Sequence, residues 1–257
     1  MILGIIPARG GSKSIPLKNI VSVAGKPLIA YTIEAATLAN SIDRLIVSTD
    51  SVEIANVART YGAEVPFLRP SELAQDDTPG MDPILHALQW LAAHETDQPD
   101  YVLVLQPTSP LRTAEDIDGI VRLALEHRAE TAVSVCPVHH HPFWTKGIDP
   151  VGKLVNLFTS SETYTRRQDL PPAYALNGAL YFAQCQVLIE KATFYTEQTY
   201  GYVMPTERSL DIDTPWDLYL AELILKDIAL GAGNRERVGS VRSVGSVRSV
   251  GSVVVGR

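Results

Sequence analysis

Two short stretches carry residue types suited to phosphate chemistry, and they stand at opposite ends of the chain. Between Pro7 and Asn19 the sequence reads PARGGSKSIPLKN. Arg9 offers a planar guanidinium fork that matches phosphate oxygens, while Lys13 and Lys18 are mobile point charges. Gly10 and Gly11 are free to take backbone angles closed to other residues, so consecutive N–H groups could turn toward one anion. The combination predicts a polyphosphate clamp sized for a triphosphate. Near the other end, Ser209-Leu210-Asp211-Ile212-Asp213 alternates, putting Asp211 and Asp213 on one side of an extended chain and Ile212 on the other. A hard cation such as Mg2+ is held by one or two carboxylates plus substrate phosphates. Read together, the stretches point to Mg2+-assisted nucleotidyl transfer.

Taken singly, a Gly-Gly-Ser-Lys run is a solvated basic loop and two spaced aspartates are a solvated face. Position changes the reading. The clamp follows Ile2-Leu3-Gly4-Ile5-Ile6, a run of the length of a central strand in a parallel sheet, and ligands of such sheets sit beyond the strands' carboxyl ends. The loop matches neither GxGxxG nor GxxxxGK[ST], which disfavours a nicotinamide site and a P-loop kinase or hydrolase. A nucleotide sensor without chemistry is the other rival, but it would not need both aspartates.

The elements that must position these residues follow a strand-helix rhythm, which implies a parallel sheet covered on both faces. Leu28, Tyr31, Ala35 and Leu38 mark a helix opened by Gly25-Lys26-Pro27, with Pro27 in its first turn. Arg44 to Ser48 reads as a strand, and Thr49-Asp50-Ser51 caps a helix that Gly62 stops. Val65 to Leu68 reads as a short strand, and Ile84, Leu88 and Leu91 as a helix. Tyr101 to Leu105 is an apolar strand ending in the turn Gln106-Pro107-Thr108-Ser109-Pro110. Thr113 caps a helix through Ile117, Ile120 and Ala124, and Ala132 to Cys136 is the next strand. Strands at Gly178 to Phe182 and Tyr200 to Met204 flank a short helix through Val187 and Ile189. Thr214 caps the last helix, with Pro215 at its first position.

Two stretches break the rhythm. Residues 137–176 contain His139-His140-His141, Phe143, Trp144, Arg166, Arg167 and the pair Pro171-Pro172. Adjacent histidines cannot all face one ion without distortion, so an interface or a substrate lid is expected, not a metal site. Residues 233–257 repeat VGSVRS with neither caps nor amphipathicity, and are expected to be a disordered tail outside the fold.

Composition narrows the function further. A chain of 257 residues, 46% hydrophobic, suffices for one large domain, and a net charge of −7 argues against a nucleic-acid footprint. Cys136 and Cys185 lack CxxC spacing, which suits a reducing compartment. No apolar run approaches the roughly 20 residues that span a bilayer, and no signal peptide precedes Ile2. No membrane association is therefore expected, and the cytoplasm is the expected location.

IIPARGGSKSIPLKN, VSTDSVEIA, FLRPSELA, LQPTSPLRT, LNGALYF and SLDIDTPWD occur in order. In this series the chain, from Ile2 to about Leu230, resembles the CMP-sugar-acid synthetases typified by N-acylneuraminate cytidylyltransferase. The resemblance implies a Rossmann-like α/β nucleotide-diphospho-sugar transferase fold with a mostly parallel mixed sheet. It implies a domain over 1–232 with a dimerisation insertion at about 137–176, CTP and a nine-carbon sugar acid as substrates, Mg2+, and a homodimer. Carried over by motif, the nucleotide would be held by Arg9, Gly10, Gly11, Ser12, Lys18, Asn19 and Arg69. The sugar would meet Gln106, Asn177, Tyr181, Phe194 and Tyr195, with Arg167 reaching across the dimer. Arg9, Lys18 and Asp211 would be catalytic, and Asp211 and Asp213 would hold metal. Two sugar-side positions depart from the sialate pattern: Ala175 stands where arginine is frequent, and Trp144 or Thr145 where lysine is. Legionaminic and pseudaminic acids are therefore open alongside N-acylneuraminate.

Overall fold

The computed structural model describes residues 1–157 and 166–231. Its elements run β1 (Ile2–Pro7), β2 (Ser22–Val23), β3 (Lys26–Pro27), α1 (Leu28–Leu38), β4 (Arg44–Ser48), α2 (Val52–Thr60), α3 (Asp82–His94), β5 (Tyr101–Leu105) and α4 (Ala114–Glu126). There follow β6 (Thr131–Pro137), β7 (Lys146–Ile148), β8 (Leu154–Asn156), β9 (Tyr174–Gln184), α5 (Cys185–Lys191), β10 (Thr199–Val203) and α6 (Pro215–Gly231). The main sheet has the order β10-β6-β9-β5-β1-β4. β9 alone runs against the others, pairing antiparallel with β5 and β6.

Alternation along the strands builds a core on each face. On β5, Leu103 and Leu105 join Ile29, Ile33, Ile54, Ile117 and Ile120 of α1, α2 and α4. Val102 and Val104 join Ile84, Leu88 and Leu91 of α3 and Leu188 of α5 on the opposite face. A third, smaller core of Ile15, Val23, Leu28, Ile212 and Ala221 ties the clamp loop to α6 and the aspartate segment. All three are apolar faces removed from water, which is why both sides of the sheet must be covered.

Several sequence expectations change. Val65 to Leu68 is not a strand: its neighbourhood pairs only through an isolated bridge between Ile46 and Glu64. Pro27 sits at the N-cap of α1, just outside the helix. The 137–176 stretch is not wholly irregular, since β7 and β8 form a hairpin within it. Its end is already β9, because the strand expected at Gly178 begins at Tyr174. The expected tail lies outside the described residues. No helix among those residues is long and apolar enough to cross a membrane.

β9 is also where the sheet is interrupted. Val133 opposes Tyr181, but Val135 opposes Leu176, so the register shifts over Asn177–Leu180. Such a bulge redirects the chain beside a site. Gly178 has φ +72° there, a conformation that costs an L-residue about 1–2 kcal/mol.

Close packing between α4 and β10 generates a test. A Cβ at Gly119 would lie 2.3 Å from the Tyr202 hydroxyl and 2.6 Å from its ring carbon Cζ. Gly119→Ala gains about 1 kcal/mol of helix propensity but overpacks this contact by about 1–3 kcal/mol. A net loss of stability is expected, read as a lower urea midpoint; an unchanged midpoint would mean the two elements pack less tightly.

Candidate active site

β1, β4 and β5 end on the same side of the sheet, at Pro7, Ser48 and Leu105, and the loops leaving them enclose a cleft of about 260 Å3. Arg9, Lys18, Asn19, Arg69 and Gln106 line it, with Pro107 and Thr108. The clamp loop is closed by Asn19, whose Nδ2 donates to the Arg9 carbonyl at 2.9 Å. Arg69 is only 5% exposed, with its Nη2 3.7 Å from an Asp50 oxygen and its buried Nε without a hydrogen-bond partner. Burial lowers the Arg69 pKa, against the pull of Asp50. The guanidinium is thus a largely desolvated cation in the cleft's lining.

The two glycines work differently from the sequence expectation. Neither Gly10 nor Gly11 adopts a positive φ. Gly10 is needed for close approach, since a Cβ there would lie 3.2 Å from Cβ of Ser51, the N-cap residue of α2. Its N–H is already used, donating to Asp50 Oδ1 at 2.9 Å. Gly11, Ser12 and Lys13 line a second hollow, separated from the cleft by Gln75 and Asp76, which border both.

Gln106 is shared with an adjoining pocket formed by Tyr181, Phe194, Tyr195, Met81, Ile84 and Val104. The Tyr181 and Phe194 rings lie 5.3 Å apart. Burial, then the neighbouring Tyr195 and Asp211, push the Tyr181 hydroxyl up to about 12, so it remains a neutral donor. Apolar walls with one glutamine and two hydroxyls suit a partly acylated sugar. Asn177, expected at the sugar, is instead spent inside the bulge. Its Nδ2 donates to Ser209 Oγ at 2.9 Å, and its Oδ1 accepts from Ser134 Oγ at 2.6 Å and from the Ala179 N–H at 3.3 Å. Burial forces it to satisfy both ends of its amide within the protein.

Arg167 lies away from the cleft, on a separate cavity of about 200 Å3 with His139, His141, Trp144 and Tyr174. His141 is structural: one ring nitrogen meets the Pro171 carbonyl at 3.0 Å and the other accepts from the Phe143 N–H at 3.3 Å. His141 therefore pins the insertion to the approach to β9.

The carboxylates lie beside the cleft, next to Lys18 and Thr108 of its lining. Ile212 is fully buried, and its N–H donates to the Thr108 carbonyl at 2.9 Å. Asp211 and Asp213 flank it, close enough that Asp213 acts on the Asp211 carboxyl. Asp211 rests against the bulge, 3.2 Å from where a Cβ at Gly178 would be. Its Oδ1 is buried with no partner, and burial raises its pKa, with Asp213 adding to the rise and a hydrogen bond from Thr108 opposing it. Lys18 Nζ donates to the Ile212 carbonyl at 2.9 Å and lies 3.4 Å from Asp213 Oδ1. An orphaned carboxylate oxygen beside a second carboxylate fits a divalent cation. Among the described residues no third His, Cys, Asp or Glu converges, so such a cation would take its remaining ligands from phosphate or water.

Sequence reasoning missed the buried charges that brace the elements around the site. Arg208 makes a two-pronged pair with Asp116, both contacts 2.8 Å, and Asp116 is 0% exposed. Burial disfavours its charge, but Arg208 and the Thr113 cap outweigh that and keep its pKa low. Below lies Arg112, 3% exposed, its Nη1 donating to the Gln106 carbonyl at 3.1 Å and the Ala179 carbonyl at 3.0 Å. Burial brings its pKa down to about 10, which leaves it charged at neutral pH. The T-x-x-D spacing of Thr113 and Asp116 signalled a capping box, but nothing in the sequence linked Asp116 to an arginine 92 positions away.

Comparisons with known proteins agree with this geometry. Residues 3–233 match the family model described as cytidylyltransferase. The chain is 41% identical over 230 residues to a CMP-N,N'-diacetyllegionaminic acid synthase of Legionella pneumophila, covering 88% of this chain and 96% of that protein. It is 32% identical to a pseudaminic acid cytidylyltransferase of Campylobacter jejuni, over 87% of this chain and 96% of that one. An N-acylneuraminate cytidylyltransferase of Streptococcus agalactiae is 36% identical over 82% of this chain, which spans 50% of that longer relative. The solved structure of a CMP:2-keto-3-deoxy-manno-octonic acid synthetase complexed with CTP superposes at a TM-score of 0.67 and 16% identity, covering 88% of this chain and 99% of that one. A 4-diphosphocytidyl-2C-methyl-D-erythritol synthase of Anaerococcus prevotii does so at 0.60 and 14%, covering 88% and 98%. Both establish the Rossmann-like nucleotidyltransferase fold.

The raised pKa of Asp211 has a thermodynamic consequence. A carboxyl whose folded pKa is raised contributes stability below its unfolded pKa and loses it as pH rises through the folded one. At neutral pH the ionised group is thus a cost that an amide would remove. In metal-free buffer Asp211→Asn is expected to melt above wild type at neutral pH, the gap closing as pH falls through the acid range. A lower melting temperature for the variant at pH 7 would show that the carboxylate is compensated.

Proposed function

The chain belongs to the cytidylyltransferase family, and on that premise we propose that it transfers CMP from CTP to the anomeric oxygen of a nonulosonic acid, releasing pyrophosphate. The observation that carries the reading is the meeting of the clamp and the aspartate segment through Lys18, a clamp residue that touches Ile212 and Asp213. N-acylneuraminate is the first reading of the acid. The 41% identity to the legionaminate relative, with the departures at Ala175 and Trp144, favours a legionaminate-type acid as the second.

In this mechanism the anomeric hydroxyl oxygen attacks the α-phosphorus, and the bond from that phosphorus to the α–β bridging oxygen breaks. Arg9 and Lys18 hold the phosphates and offset the charge gathering on departing pyrophosphate. Arg69 and Asn19 take the nucleoside, and Gln106, Tyr181, Phe194 and Tyr195 orient the sugar so that its hydroxyl faces phosphorus. Asp211 and Asp213 would hold Mg2+, which neutralises phosphate charge when bound. Asp211 serves either as metal ligand or as the base that takes the anomeric proton. Its orphaned oxygen supports both.

The test is pyrophosphate release, with Mg2+, from CTP and other nucleoside triphosphates against N-acetylneuraminic, legionaminic and pseudaminic acids. Release from CTP with one of these acids is expected, and Asp213→Asn should lower turnover by at least ~10²-fold, the scale of losing one transition-state charge stabiliser. No release with any pair, or near-wild-type Mg2+-dependent turnover in Asp213→Asn, would overturn the assignment.

We also propose a cytoplasmic homodimer. The two free cysteines suit a reducing compartment. Ile148, Leu154, Leu157, Tyr174 and Leu176 are exposed along the hairpin and the start of β9, an apolar surface that suits cover by a second copy. Arg167 on that side would then serve the neighbouring cleft. Light scattering at assay concentration is expected to give twice the chain mass, and a fully active monomer would refute the dimer.

A further inference from the structure

The strongest cations of the clamp are not free. Arg9 Nη2 lies 2.9 Å from Asp76 Oδ1, and Lys13 Nζ lies 2.6 Å from Asp76 Oδ2. Arg9 Nη1 also donates to the Gln75 carbonyl at 2.8 Å. One carboxylate thus bridges two cations with its two oxygens, as two oxygens of a phosphate would. Gln75 and Asp76 form the wall between the main cleft and the hollow of Gly11, Ser12 and Lys13, so one trough is divided by these two residues.

The segment that carries them is built to let go. Residues 71–80 include no buried side chain, and the turn over Ser71–Ala74 is a single short 3-10 helix. Its remaining polar ties are local: Gln75 Nε2 to the Ser71 carbonyl, Thr78 Oγ1 to the Glu72 carbonyl, and Asp82 N–H to the Pro79 carbonyl. Among the described residues, its ion pairs to the rest of the chain are those to Arg9 and Lys13. A Cβ at Gly80, at the segment's far end, would meet no atom within 4 Å. Both cations hold the Asp76 carboxyl below its usual pKa, Lys13 first, so it is ionised at neutral pH.

We propose that Asp76 is an internal anion occupying a phosphate subsite, and that the triphosphate binds by exchange, displacing Asp76 from Arg9 and Lys13 and lifting the 71–80 segment off the trough. This deepens the nucleotidyl-transfer reading and rests on it for the identity of the ligand. Asp76 keeps Arg9 and Lys13 oriented without leaving two like charges unpaired. The nucleotide's affinity is then set by a difference, the strength with which phosphate pairs with the two cations less the strength with which the carboxylate does.

The test compares wild type with Asp76→Asn, which keeps shape and removes charge at an exposed position. Calorimetric titrations with tripolyphosphate, CTP and cytidine, in EDTA at low salt, read the exchange without turnover. The variant is expected to bind tripolyphosphate and CTP ~3–10-fold more tightly, the scale of losing one or two exposed ion pairs, with cytidine affinity unchanged. The gain should shrink near ~0.5 M salt, where such pairs are screened. Unchanged or weaker triphosphate binding, or an equal gain for cytidine, would overturn the proposal. Because tripolyphosphate carries no base and undergoes no transfer, the gain without pyrophosphate release in the turnover assay would sink the proposed reaction and keep the exchange. Turnover of CTP without the gain would do the reverse.

Discussion

The burial of Ile212 is the constraint on which the site depends. It sits with Ile15 and Leu28 in a small core that joins the first loop of the chain to the last helix. Burying one isoleucine contributes about 1.5–3 kcal/mol, whereas the exposed pair between Lys18 and Asp213 contributes about 0–1. Packing, not the ion pair, therefore holds the aspartate segment against the clamp. With Ile212 fixed inward, Asp211 and Asp213 on either side of it are held beside Thr108 and Lys18. The Lys18 contacts follow from that placement and do not cause it.

Charge is arranged in two layers around this core. In the upper layer the exposed carboxylates are exchangeable, Asp76 meeting Arg9 and Lys13 and Asp213 meeting Lys18 at 2.6 to 3.4 Å, while Arg69 stays buried 3.7 Å from Asp50. The lower layer is fixed: buried Asp116 is paired by the half-buried Arg208, and buried Arg112 holds the Gln106 and Ala179 carbonyls. A buried charge left without its partner is strongly penalised, so the lower layer resists rearrangement. That division lets ligands displace surface partners while the turn bearing Gln106 and the segment bearing Asp211 keep their separation.

The bulge in β9 serves both layers. Gly178, in its left-handed conformation, leaves room for the Asp211 carboxylate, and the same distortion buries Asn177 among Ser134, Ser209 and Ala179. One irregularity thus makes space for chemistry on its outer side and is itself secured from the inner side.

Much of this was readable from residue order alone, because it depends on local periodicity. Hydrophobic spacing marked the helices and every strand of the main sheet, and two-residue alternation set Ile212 apart from the aspartates as the residue to bury. Clustered cations marked the clamp. Only tertiary structure decided the rest, because contacts between distant positions leave no local trace. The run from Val65 to Leu68 looks like a strand, but its edge position gives it a single bridge at Glu64. Asn177 looks like a polar residue offered to a sugar, yet the bulge turns it inward, where its amide must find protein partners. Gly10 looks like a phosphate-binding amide donor, yet Asp50, 40 residues away, claims its N–H. Asp76 reads as loop polarity, and only the fold sets it between Arg9 and Lys13, where its charge has a target.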